Sequence, residues 1–218
     1  MNKTLGMIMV GVTLAALGAM AGDVTQAEIE AKVNRHSELK KQAKNRDTDE
    51  TRALMKEIYA DQAAFFAARA GLDDAAWLKE GNPFRYNWKM NGFLRATEEG
   101  RKAAAAAGDR ILALPAWGGD GRRAKASLGD AANYVRGSKD EALRRKAAGY
   151  LRQRADIAKV EGDYRSYART LDQLAMTLLK DWYDRPAAIA AYREGFKDAQ
   201  MPAADRNRFE SMIWQLED

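Results

Sequence analysis

Apolar residues recur at helical spacing along most of the chain, with polar residues between them. Ile29, Val33 and Leu39 share one face of a helix. The longest apolar stripe comprises Tyr164, Ala168, Leu171, Leu174, Leu178 and Trp182. Few stretches alternate at period two, and the 218 residues include only four prolines. The pattern therefore predicts an all-α fold of about eight helices.

Capping signals divide this pattern into separate helices. A hydroxyl or carboxyl residue followed three positions later by glutamate predicts helix starts at Thr25, near Asp47 and at Ser138. Gly71 and Gly162 are predicted to end helices, since glycine readily adopts the left-handed conformation of a C-terminal cap. The four helices after residue 138 have short links, so we expect an antiparallel bundle or stack of helical hairpins.

The middle of the chain is less regular. Asn82 followed by Pro83 predicts a helix start, and the helical pattern then continues to Leu114. Gly100 and Gly108 are the expected weak points or breaks. A loop over residues 115–121 and a short helix over residues 123–136 are predicted to follow.

The C-terminal segment resembles a known repeat. Residues 188–196, with small Ala188 and Gly195 around the aromatic Tyr192 and followed by Pro202, look like the second helix of a tetratricopeptide repeat. Residues 162–164 resemble the turn inside such a repeat. The resemblance covers residues 139–218 and implies a TPR-like stack of helical hairpins that binds peptide or protein. Generic antiparallel helices are the alternative.

The N-terminus has the layout of a signal peptide. Lys3 precedes an apolar run from Leu5 to Leu17, and Ala19 and Ala21 occupy the positions that signal peptidase reads. We therefore expect residues 1–21 to be removed, which leaves no transmembrane helix. An uncleaved N-terminal membrane anchor is the alternative, because the apolar stretch is nearly long enough to span a bilayer.

The remaining residues, 22–218, are predicted to form one helical domain, with an N-terminal half at 22–137 and a hairpin half at 138–218. The expected location is the periplasm or the exterior of a bacterial cell. The chain has no cysteine and one histidine, which excludes thiolate metal sites, disulfides and cysteine nucleophiles. No cofactor, metal ligand or catalytic residue is predicted.

Positive charge is concentrated in the middle of the chain. Residues 84–170 contain 19 basic and 10 acidic side chains, a net charge of +9, whereas both flanks are acidic. Arg122 and Arg123 form one cluster, and Arg144 and Arg145 form a second, with Arg152 beyond it. In an exported protein this predicts an acidic protein or peptide, an anionic glycan or a lipid surface as partner, rather than nucleic acid. A solvated helix face with internal ion pairs is the alternative.

Aromatic residues are densest over residues 77–93. Trp77, Tyr86 and Trp88 alternate there with basic and amide side chains, as in surfaces that stack on sugars or capture peptides. The same rings could instead form a core, since aromatic side chains bury large areas. The predicted ligand-binding residues are Trp77, Tyr86, Trp88, Arg122, Arg123, Arg144, Arg145 and Arg152.

Together these patterns predict an exported, non-catalytic binding or scaffolding protein of the cell envelope. Two alternatives remain open. One is an enzyme that cleaves glycans with an Asp/Glu pair, which needs two carboxyl groups within about 5 to 9.5 Å of each other. The other is a purely structural envelope protein.

Overall fold

The structure, a computed structural model, describes residues 24–115 and 119–218, so the predicted signal peptide lies outside the described residues. This part of the chain contains ten α-helices and no β-strand. The helices are α1 (Gln26–Gln42), α2 (Asp49–Ala67), α3 (Asp74–Ala76), α4 (Trp88–Ala96), α5 (Glu98–Ala113), α6 (Gly121–Val135), α7 (Glu141–Val160), α8 (Tyr164–Trp182), α9 (Arg185–Lys197) and α10 (Ala203–Glu217). The all-α prediction is confirmed, with ten helices instead of about eight.

Contacts divide the chain into two compact units, the first ending at Gly100 and the second beginning at Arg101. In the first unit α1 packs on α2, and both contact α4. In the second unit each helix from α6 to α10 packs on the next along the chain. None of the helices in the described ranges is long and apolar enough to cross a membrane.

Local caps fix where the helices of the first unit begin. The Thr25 hydroxyl accepts from the Glu28 amide, and the Glu28 carboxylate accepts from the Thr25 amide, which confirms the predicted capping box. The second box is formed by Thr48 and Thr51, one position after the predicted Asp47 start. The core of this unit contains Ile29, Val33, Leu54, Ile58, Phe65, Phe66, Trp77, Met90, Phe93 and Leu94.

The long helix predicted after Pro83 is divided. A 3-10 turn, Pro83–Arg85, is followed by extended backbone, and α4 begins only at Trp88. The break before α5 is at Thr97, whose hydroxyl accepts from the Gly100 amide at 2.9 Å. Gly108, a predicted break, lies inside α5 because the Tyr150 ring packs against it.

Polar side chains join alternate helices of the second unit. Lys125 of α6 reaches Asp163 at the start of α8, and Arg152 of α7 pairs with Glu194 of α9. Similar links are Asp109 to Lys146 and Tyr150, Arg136 to Asp181, Asn133 to Gln173, Lys159 to Asp198, and Asp172 to Arg208. Side chains therefore bridge α5, α7 and α9 to one another, and likewise α6, α8 and α10, although the helices that pack directly are consecutive in sequence.

Candidate functional site

The predicted aromatic surface of the first unit is mostly core. Trp77 is only 4% exposed. The half-buried Tyr86 ring packs edge-on against Phe65 and Phe66, and its hydroxyl donates to the backbone carbonyl of Glu80 at 2.8 Å. Trp77 and Tyr86 therefore serve to pack the first unit.

Trp88 differs from the other two, since its side chain is 65% exposed at the start of α4. Its neighbour Lys89 is engaged with Asn34, through a bond of 2.9 Å to the side-chain oxygen. Trp88 is thus the one member of the predicted aromatic trio that presents its ring to solvent.

The two predicted arginine clusters lie at opposite ends of the second unit. Arg122 and Arg123 are in the first turn of α6, whereas Arg144 and Arg145 are near the start of α7. These helices run antiparallel, because Lys125 near the start of α6 bonds Glu161 just after α7. The clusters therefore do not form one continuous patch.

Arg122 is exposed, and Arg123 and Arg152 each have an acidic partner. Arg123 lies 3.6 Å from Asp120, the residue that caps α6, and both are about half exposed. Arg152 is paired with Glu194, which also accepts a 2.7 Å hydrogen bond from the Tyr167 hydroxyl. The Arg152 pair thus contributes to the packing of α7, α8 and α9.

Arg144 and Arg145 come together with Trp182, at the end of α8. The Arg145 guanidinium carbon lies 4.7 Å from the centre of the Trp182 ring, and that of Arg144 lies 5.8 Å away. Both distances are within the range of cation–π attraction. Arg144 also donates to the carbonyl oxygens of Ser138 and Lys139, at 2.8 and 2.9 Å.

Tyr183 adds a second aromatic ring to this end of the unit. Its side chain is 88% exposed, and its backbone φ of 52° is in the left-handed region. That conformation ends α8, because the Asp184 amide turns back to the Leu178 carbonyl. Asp184 then caps α9 by accepting from the Ala187 amide at 3.0 Å. Glycine is the usual residue at such a position, so a tyrosine here carries a conformational cost.

We call these four residues, Arg144, Arg145, Trp182 and Tyr183, the basic–aromatic end. The nearby Arg136 is neutralised by Asp181 through two bonds of 2.6 and 3.1 Å. Among the residues that the structure describes, the ion-pair partner of Arg145 is the exposed Glu141, at 2.7 Å. The basic–aromatic end can therefore offer guanidinium groups and two rings to an anionic partner.

Sequence reasoning found the two arginines but missed Trp182 and Tyr183 as site residues. The apolar stripe of α8 includes Trp182, and the structure shows its side chain only half-buried. One sequence signal was present. Trp182 and Tyr183 lie directly before Asp184, the cap of α9. Glycine would be expected in such a short link between helices.

Two carboxyl groups, those of Asp156 and Glu194, come from α7 and α9. Asp156 of α7 is half-buried, and burial raises its pKa, with the nearby Glu194 carboxylate adding to the rise and Arg152 opposing it. Tyr167 and Arg152 both bond Glu194. The two carboxyl groups thus have different environments, the first requirement for separate acid and base roles.

Among the residues at 24–115 and 119–218, no group of three or more metal-binding side chains comes together. No protein-family model, curated protein or solved structure matches this chain.

Proposed function

We propose that this chain is a non-catalytic binding or scaffolding protein of the bacterial cell envelope. Its partner is an acidic segment of another protein, which docks on the basic–aromatic end. The observation that carries the proposal is Tyr183, a large ring held in solvent by a backbone conformation that disfavours it. Sparsely populated backbone conformations cost about 1 to 3 kcal/mol, and they are common at functional sites.

The electrostatics of this end favour an anion. Arg145 and Arg144 lie over Trp182, so their guanidinium groups are already positioned. The Arg145 pair with Glu141 is solvent-exposed, and such pairs contribute little to stability. A carboxylate of a partner can replace Glu141 at small cost, while the two rings supply apolar contact.

The TPR-like assignment of residues 139–218 is part of this proposal. Sequential packing of α7 to α10 is compatible with such a stack, and the resemblance implies protein or peptide binding. The predicted export signal gives the cell envelope as location.

The test uses poly-glutamate immobilised on a sensor surface as a defined acidic probe. We expect the purified protein to bind it with an affinity that falls as salt rises, since exposed charges are screened. Arg145→Gln and Tyr183→Gly should each weaken binding. Arg123→Gln, which removes the same charge at the opposite end of the unit, is the matched control and should bind like the unmodified chain.

Tyr183→Gly also separates binding from stability. Glycine relieves the left-handed strain, so this variant should be more stable by about 0.5 to 1 kcal/mol while binding less. Absence of binding at low salt would refute the proposal, as would equal losses in Arg145→Gln and Arg123→Gln.

A second candidate function is glycan hydrolysis by Asp156 and Glu194. The observation that favours it is the half-burial of Asp156, which raises the pKa of its carboxyl group, since a general acid must stay protonated near neutral pH. Release of reducing sugar from cell-wall glycan would be measured for the unmodified chain and for Asp156→Asn. Turnover that disappears in Asp156→Asn would establish this activity and displace the binding proposal.

A further inference from the structure

Arg154 is a cation whose hydrogen-bonding capacity is largely unused. The residue belongs to α7, but its guanidinium lies against α6, where a Cβ at Gly129 would be only 2.7 Å from Arg154 Nη1. Gly129 is therefore required for this placement. In the part of the chain that the structure describes, the buried Arg154 Nε has no hydrogen-bond partner.

The neighbours of Arg154 leave its charge poorly compensated. Nη1 makes one long bond, 3.3 Å, to the side-chain oxygen of Gln173 on α8. Gln173 is fixed in turn by donating to Asn133 of α6 at 3.2 Å. Asp130 is the acidic residue whose charge acts on Arg154, yet within the described ranges the two form no ion pair. A guanidinium normally forms strong paired bonds with a carboxylate, and among the described residues Arg154 has no such partner.

A second arginine lies beside the first. Arg169 precedes Gln173 by four residues on α8, so the two share one helix face. Arg169 is exposed, and in the part of the chain that the structure describes it has no hydrogen bond or ion pair. Burial lowers the pKa of Arg154, and the charge of Arg169 lowers it further. Arg154 thus bonds Gln173, and Arg169 lies one helical turn before Gln173 on the same face of α8, so the two positive charges act on each other.

We infer that Arg154 and Arg169 form a binding site for a phosphate or a similar tetrahedral oxyanion between α6 and α8. Arg154 supplies a pre-positioned guanidinium, and the exposed Arg169 closes on the ligand from the facing helix. Four oxygens allow a tetrahedral ion to accept bonds from two directions at once, which a single carboxylate does less well.

The charge of Asp130 determines whether Asp130→Asn strengthens or weakens oxyanion binding. Its carboxyl group is half-buried, and burial raises its pKa. A carboxylate there opposes an incoming anion, so the site binds best when Asp130 is neutral. Asp130→Asn keeps the shape and removes the opposing charge.

The experiment measures the melting temperature of the full chain as inorganic phosphate or sulfate replaces chloride at constant ionic strength. We expect saturable stabilisation by both oxyanions. Arg169→Gln should weaken the apparent affinity about tenfold, the change expected for one charge-assisted hydrogen bond. Asp130→Asn should strengthen it about threefold or more. Arg206→Gln, an arginine of α10 distant from Arg154 in sequence, is the matched control and should behave like the unmodified chain.

Two sources of the oxyanion are separated by parallel measurements. A soluble phosphomonoester tests a free ligand, and vesicles containing phosphatidylglycerol test a lipid headgroup. Equal responses of Arg169→Gln and Arg206→Gln, or weaker binding in Asp130→Asn, would overturn the inference. The residues tested here are not those of the basic–aromatic end, so this site and the proposed function can fail independently.

Discussion

Lys125 and Asp163 form a partly buried ion pair of the second unit, and replacing Asp163 by asparagine tests its contribution. Lys125 is 9% exposed and contacts Asp163 and Glu161, each at 2.7 Å. Asp163 also caps α8 by accepting from the Ser166 amide at 3.1 Å. Asparagine keeps the cap but removes the charge, so Asp163→Asn isolates the electrostatic part.

The expected magnitude follows from the pKa of Asp163. The bond from Lys125, supported by that from Ser166, lowers this pKa from 3.8 to about 2. One pKa unit corresponds to about 1.4 kcal/mol, which gives an upper value of about 2.4 kcal/mol. The Asp163 side chain is 37% exposed, so solvent screening reduces the contribution to about 1 kcal/mol.

The sign of the pH dependence is fixed by the direction of this shift. A carboxyl group with a lowered pKa in the folded state stabilises the protein fully above its unfolded pKa, near 4, and loses that contribution as the pH falls to about 2. The free energy of unfolding of Asp163→Asn should therefore be about 1 kcal/mol below that of the unmodified chain at neutral pH. The difference should vanish towards pH 2.

The assay is urea denaturation followed by far-ultraviolet circular dichroism at a series of pH values. Asp120→Asn is the control, because Asp120 also caps a helix but its ion pair with Arg123 is longer, 3.6 Å, and exposed. We expect this control to change stability by less than about 0.5 kcal/mol. A difference between Asp163→Asn and the unmodified chain that stays constant down to pH 2 would refute the electrostatic account.

Two further predictions concern packing, and a third concerns one hydrogen bond. Gly195→Ala should destabilise the chain by about 1 to 3 kcal/mol in urea denaturation, because a Cβ there would overlap the buried Phe209 ring. Gly149→Ala, in an exposed helical position with nothing within 4 Å, should instead stabilise it by about 0.5 to 1 kcal/mol, and a loss there would contradict the packing argument. Tyr167→Phe should lower the free energy of unfolding by about 1.5 kcal/mol or more, because it removes the 2.7 Å hydrogen bond to Glu194. Thermal denaturation measures this change. Unchanged stability would show that this bond contributes nothing.

Much of the secondary structure could be predicted from the sequence, because helix starts depend on residues close together in the chain. The Thr25 box formed as expected. The start predicted at Ser138 is displaced, since the Asp140 carboxylate caps α7, whereas the Ser138 hydroxyl accepts from the Asp140 amide before the helix begins. Both residues are good caps, and the sequence pattern does not rank them.

The site was predictable only in part. Arg144 and Arg145 stand out as a charged pair in the sequence, but Trp182 lies almost forty residues later and meets them only because α7 and α8 pack together. The aromatic stretch 77–93 is divided in the same way, with Trp77 buried and Trp88 exposed.

The sequence by itself determined the all-α class, the amphipathic faces and several of the helix starts, because periodicity and capping act over three or four residues. The tertiary structure alone decided which charges are compensated and which are not. Arg154, Asp130 and Gln173 come from three helices, and Gly129 admits the guanidinium between them. Burial and pairing depend on how distant segments approach one another, and no local pattern encodes that distance.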